Sequence, residues 1–147
     1  MTGKRDKIIE SIMSTAKIDP DQFSPLTSAS RLHSLTYAIA GWLYMLRRQK
    51  NMRIQAAATI IVLGQALWLQ LDATSWAILI LTITVVWMAE FVNAAVEAAV
   101  NLASPEIHPM AKVGKDVAAA AVLLGVTASI LIGLLLLGPP LVDKLGF

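Results

Sequence analysis

Cysteine is absent from the 147 residues, charged side chains make up only 15%, aromatics 6%, and histidine occurs twice. Without thiols there are no disulfides, thiolate zinc sites or cysteine nucleophiles. The common signatures of soluble kinases and hydrolases are missing as well. "AKVGKDV" sets a glycine before a lysine but lacks the upstream glycine and the following Ser or Thr of a phosphate-binding loop, and no H-R-D, D-F-G, G-x-S-x-G or H-E-x-x-H occurs. His33 and His108 stand alone, which suits an interface or a turn better than a metal. The N-terminus "MTGKRDKIIESIMSTAKIDPDQ" is too polar, and too often broken by charge, for a secretory leader. A formal charge of +2 gives no footing for nucleic acid.

What the chain does have is apolar length. Hydrophobic residues make up 56%, the mean hydropathy is +0.66, and three apolar runs stand out: Ile54–Leu71, Trp76–Leu102 and Val117–Leu137, the last preceded by a polar head from Lys112. Each is near or above the ~20 residues a spanning helix needs. Before them, Leu32, Leu35, Tyr37, Ile39, Trp42, Leu43 and Leu46 recur at spacings near three and four between Ser28 and Arg48, with basic residues at both ends. That pattern predicts a helix lying on a membrane surface. The expected fold is therefore an all-α membrane protein, three transmembrane helices preceded by one or two amphipathic surface helices, with a single membrane domain over residues 28–147. Residues 1–27 form a cytoplasmic tail, where Ile8, Ile9, Ile12, Met13 and Ala16 outline either a short surface helix or a frayed end.

Charge placement supplies an orientation. Lys4, Arg5, Lys7, Lys17, Arg31, Arg47, Arg48, Lys50 and Arg53 precede the first run, and Lys112 and Lys115 follow the second, whereas "LQLDATSW" between the first two runs has no Lys or Arg. The positive-inside rule puts the N-terminus and the Ser104–Lys115 region in the cytoplasm and the Asp72 loop outside, flanked by Trp68 and Trp76 as interfacial anchors. "SPEIHPM" makes the inner turn, and "GPP" at Gly138–Pro140 is expected to end the third helix. Within that helix Gly114, Ala118, Ala121, Gly125 and Ser129 form a stripe of small side chains. Such a stripe lets helices approach closely in lipid, against the same chain or against another subunit.

The second run carries polar residues that lipid penalises. Glu90, Asn93 and Glu97 are spaced i, i+3, i+7 and share one helix face, which Asn101 extends. At ~1.5 Å per residue from Trp76, Glu97 reaches the inner boundary of a ~30 Å core and Glu90 lies ~10 Å deeper. Two carboxylates at two depths suit two jobs, one facing water and metal, the other a group arriving from lipid. Across the inner turn Lys112 and Asp116 are four apart, with Lys115 beside them. Acids and amines gathered at a membrane boundary can hold Mg²⁺ and neutralise phosphate oxygens, the main needs of phosphoryl transfer.

These residues resemble the small prokaryotic diacylglycerol kinases, which include the undecaprenol kinases. The pattern E-x-x-N-x-A-x-E stands as Glu90, Asn93, Ala95 and Glu97, and a second signature close to A-K-x-x-K-D-x-A-A-x-A-V as Ala111, Lys112, Lys115 and Asp116 through Val122. The likeness covers about Ser28 to Gly138. It implies an ATP- and Mg²⁺-dependent homotrimeric kinase of the bacterial inner membrane that phosphorylates the hydroxyl of a membrane lipid, diacylglycerol or undecaprenol, with sites built between subunits. Carried over, Glu97 is the metal carboxylate and Glu90 the base at the lipid hydroxyl. Asn93 helps arrange substrate or phosphate, Lys115 contacts phosphate and Asp116 the nucleotide, with Lys112 alongside. Gly41, Asn51 and Arg53 fall at substrate or interface positions. Three residues depart from the pattern: Gln49 stands where many members carry a second metal-binding Glu, Gln55 replaces a His, and Asn101 an Asp. Weaker metal binding is the expected consequence, since an amide still offers a carbonyl oxygen. A catalytically weakened lipid-binding homologue and a small carrier with Glu90 in a proton relay are the alternatives.

Overall fold

The computed structural model describes residues 31–104 and 108–146, and residues 1–27, where the tail was expected, lie outside them. Among the described residues all regular structure is helical: α1 Arg31–Arg48, α2 Lys50–Leu69, α3 Ala73–Ala103 and α4 Pro109–Leu145. The chain divides into two compact units, residues 1–42 and 43–147. In the first, the described part of α1 presents Leu35, Ile39 and Trp42 at helical spacing, all exposed, in keeping with the amphipathic segment read from the sequence.

The second unit holds the last turn of α1 and three helices long and apolar enough to cross a membrane. One residue separates α1 from α2: Gln49, at φ −94°, ψ 115°, steps out of the helical region and re-enters at Lys50. At its far end α2 stops on Gln70, whose left-handed backbone (φ 57°) turns its N–H back to Ala66 and Leu67. Such a residue closes a helix at some conformational cost when it has a side chain. Asp72 then opens α3, its carboxylate accepting from Thr74 N at 2.8 Å, Ser75 N at 3.2 Å and Ser75 Oγ at 2.6 Å. These bonds hold the Asp72 carboxyl below the usual carboxylate range, the Ser75 hydroxyl contributing most.

At the turn between α3 and α4 His108 caps α4, its Nδ1 accepting from Met110 N at 3.2 Å, with Pro109 in the first helical position. The lone histidine thus has the turn role its isolation suggested. The "GPP" stop is not one: α4 runs through Pro139 and Pro140 to Leu145 and closes on Gly146 at φ 78°. Proline removes two backbone donors there, but its φ is helical and its cost is tolerated in apolar spans where neighbouring groups make up the lost bonds. Lys144, brought round by the added turns, donates to the Trp68 carbonyl at 2.5 Å with its ammonium 4.8 Å from the Trp68 ring. That contact places the ends of α2 and α4 side by side, as three successive crossings require.

Part of the small-residue stripe of α4 lies against α3. A Cβ at Gly125 would stand 3.9 Å from the Val86 backbone, and one at Gly114 would stand 3.8 Å from Val100. These two glycines therefore make contact within one chain, while Ala121 of the same stripe is exposed. Trp87 Nε1 bonds Thr59 Oγ1 at 3.1 Å to tie α3 to α2. Met52, Ala66, Leu69, Leu79 and Val86 are buried, whereas Leu123, Leu124, Leu131, Leu134 and Leu135 of α4 are exposed. Outward leucines suit a helix whose solvent is hydrocarbon.

Candidate active site

The polar row of α3 meets graded surroundings. Glu90, beside the Val86 turn that packs on Gly125, is 3% exposed, and its Oε2 is buried without a hydrogen-bond partner. Asn93 is half-buried, and Glu97 and Asn101 are exposed. An unpaired buried carboxylate oxygen is costly to keep, so its persistence suits a site where a donor arrives with the substrate.

At the head of α4 the two lysines have different partners. Lys112 Nζ lies 2.7 Å from Asp116 Oδ2 across one helical turn, both side chains largely exposed. Lys115 Nζ reaches back to α3 and donates to Asn101 Oδ1 at 2.6 Å. The structure thus joins Asn101 to Lys115 and Lys112 to Asp116. Gln49 is half-buried at the α1–α2 joint, Asn51 and Arg53 are exposed on the first turn of α2, and Gly41 is exposed on α1. Among the described residues no hydrogen bond or ion pair links Gln49, Asn51 or Arg53 to the α3 row.

A cavity of about 720 Å³ opens between α2, α3 and α4, apolar for the most part, with Asn51, Gln55, Thr59, Gln65, Trp87 and Ser129 among its lining. Gln55 Oε1 is buried there without a partner. Sequence reasoning missed this chamber, although its signal is present: Asn51, Gln55 and Thr59 recur every fourth residue in an otherwise apolar span.

Mg²⁺ takes oxygen donors, so the acidic side chains decide whether one chain can hold it. No three acidic or histidine side chains gather among the described residues, so one chain offers no closed carboxylate cage. The exposed Glu97 suits instead an ion held by one or two carboxylates and completed by phosphate oxygens.

Residues 36–137 match the model of the family described as prokaryotic diacylglycerol kinase. A Synechocystis protein named diacylglycerol kinase is 40% identical over 113 residues, covering 76% of this chain and 65% of its own length, just under two thirds. A Bacillus subtilis protein named undecaprenol kinase is 37% identical over 95 residues, 65% of this chain and 77% of that one. A Pseudomonas aeruginosa diacylglycerol kinase is 28% identical over 123 residues, which cover 79% of this chain and the whole of that one. With three apolar helices long enough to span a bilayer and a polar row on the middle one that runs from the buried Glu90 to the exposed Glu97, the chain belongs to the prokaryotic diacylglycerol kinase family, as a membrane protein.

Proposed function

We propose that this protein is a lipid kinase that transfers the γ-phosphoryl group of ATP to the hydroxyl of diacylglycerol or undecaprenol at the inner face of the bacterial cytoplasmic membrane, its N-terminus in the cytoplasm. The observation that carries the reading is Glu90, buried with an unpartnered Oε2 on the helix face that ends in the exposed Glu97. The two relatives named for different lipids support the reaction class equally, so either alcohol is a substrate to be tried.

In the proposed step, Glu90 Oε2 accepts the hydroxyl proton as the lipid oxygen bonds to the γ-phosphorus and the bond to the β,γ-bridging oxygen breaks, releasing ADP. Lys115 lies against the phosphates, Asn93 orients the transferring group between the two acids, and Asp116, steadied by Lys112, meets the nucleotide. Glu97 would hold Mg²⁺, with the carbonyl of Gln49 as a weaker donor, and the ion would supply neutralisation of the phosphate charge. Positioning and charge neutralisation do most of the work in phosphoryl transfer, so few protein groups need to react. The resemblance to the family implies a homotrimer whose sites are completed by a neighbouring subunit, with Gly41, Asn51 and Arg53 near substrate or interface.

The test is direct. Purified protein with labelled ATP and Mg²⁺ is offered diacylglycerol and undecaprenol separately, and label should enter one of the two lipids. No label in either would leave the weakened lipid-binding homologue as the better reading.

A further inference from the structure

Lys112 and Lys115 sit three residues apart at the head of α4, yet their charges are in different states. Lys112 is matched by the Asp116 carboxylate at 2.7 Å. Lys115 is matched by an amide: it donates to Asn101 Oδ1 at 2.6 Å, and among the described residues it makes no ion pair. A carboxylate at that place would aim the ammonium and also cancel much of its charge, whereas a neutral oxygen aims it and leaves the charge whole. An ammonium has three N–H donors, of which Asn101 takes one. The helices also meet beside the bond: a Cβ at Gly114, next to Lys115, would stand 3.8 Å from Val100 Cγ2, next to Asn101.

We propose that Asn101 is a positioning residue for nucleotide phosphate: it directs Lys115 while keeping its full charge available to a polyphosphate. The inference rests on the kinase reading, and it makes Asn at this place an advantage for nucleotide affinity instead of the loss of an acid. Whether the residue instead serves the metal is decided by the same variants.

The experiment titrates ADP and a non-hydrolysable ATP analogue into purified full-length protein without lipid, for wild type, N101D and N101A, and then compares KM for ATP with KM for lipid. N101D should weaken nucleotide binding by about fivefold, the scale of one partly solvated ion pair, and the loss should shrink at high salt. N101A, which keeps the charge and loses the direction, should bind more weakly than wild type and show no such salt dependence. In both, the change should fall on KM for ATP and leave KM for lipid in place. N101D that binds nucleotide as well as wild type, or that needs less Mg²⁺, overturns the proposal and makes Asn101 a bystander or a metal position. Wild type that binds nucleotide in the predicted order but phosphorylates no lipid sinks the kinase reading alone, and wild type that binds no nucleotide sinks both.

Discussion

Glu90 and Glu97 lie two turns apart on α3 and meet opposite surroundings, one buried with a bare oxygen and the other open to solvent. Gln49, half-buried at the break between α1 and α2, is the residue whose replacement should be most instructive at this scale. Gln49→Glu should lower the Mg²⁺ concentration for half-maximal rate by about threefold to tenfold, as a charged donor replaces a carbonyl, and an unchanged requirement would count against its nearness to the metal. The acids of α3 were legible in the sequence because charge in an apolar run stands out, whatever the fold. The bonds from Lys115 to Asn101 and from Trp87 to Thr59 were not, since they join residues 14 and 28 positions apart and depend on how the helices pack.

The helices themselves were legible from hydropathy, and their ends less so. Periodicity has no say over the last turn, where capping decides. At α4 the sequence signal for a stop, Gly138 with Pro139 and Pro140, is outweighed by the turns beyond it that carry Lys144 to Trp68. At α2 the stop is Gln70, left-handed without being glycine. Gln70→Gly should therefore stabilise the protein by about 1 kcal/mol, read as a higher midpoint of thermal unfolding in detergent. The cap at Asp72 should titrate. Because its folded carboxyl is held below the usual range, its contribution is present above the ordinary carboxylate value and is lost as pH falls through the lowered one. The Tm advantage of wild type over Asp72→Asn should shrink as pH is taken well below ~4, while Asp72→Asn itself gains no such dependence from this site.

For the molecule as a whole, the charge bias predicts an orientation that the absence of cysteine makes easy to probe. With no background thiols, Thr74→Cys should react with a membrane-impermeant maleimide added to spheroplasts, and Met110→Cys only after the membrane is opened. Labelling in the reverse order would invert the arrangement and put the acidic row out of reach of cytoplasmic ATP. The membrane class and the family signatures were readable from 147 residues, because both are written in local sequence. The chamber between α2, α3 and α4 was not, since it exists only once three helices are set side by side. The central claim is that the two acids divide the labour, Glu97 with nucleotide and metal and Glu90 with the lipid hydroxyl. Its most direct measurement is Mg²⁺-dependent ATP-analogue binding beside lipid phosphorylation, for Glu90→Gln and Glu97→Gln. Glu90→Gln should bind the analogue within about twofold of wild type while transfer falls by at least ~100-fold, as expected for a group acting in the chemical step, and Glu97→Gln should lose both together. Equal loss of nucleotide binding in the two variants, or full transfer by Glu90→Gln, would contradict it.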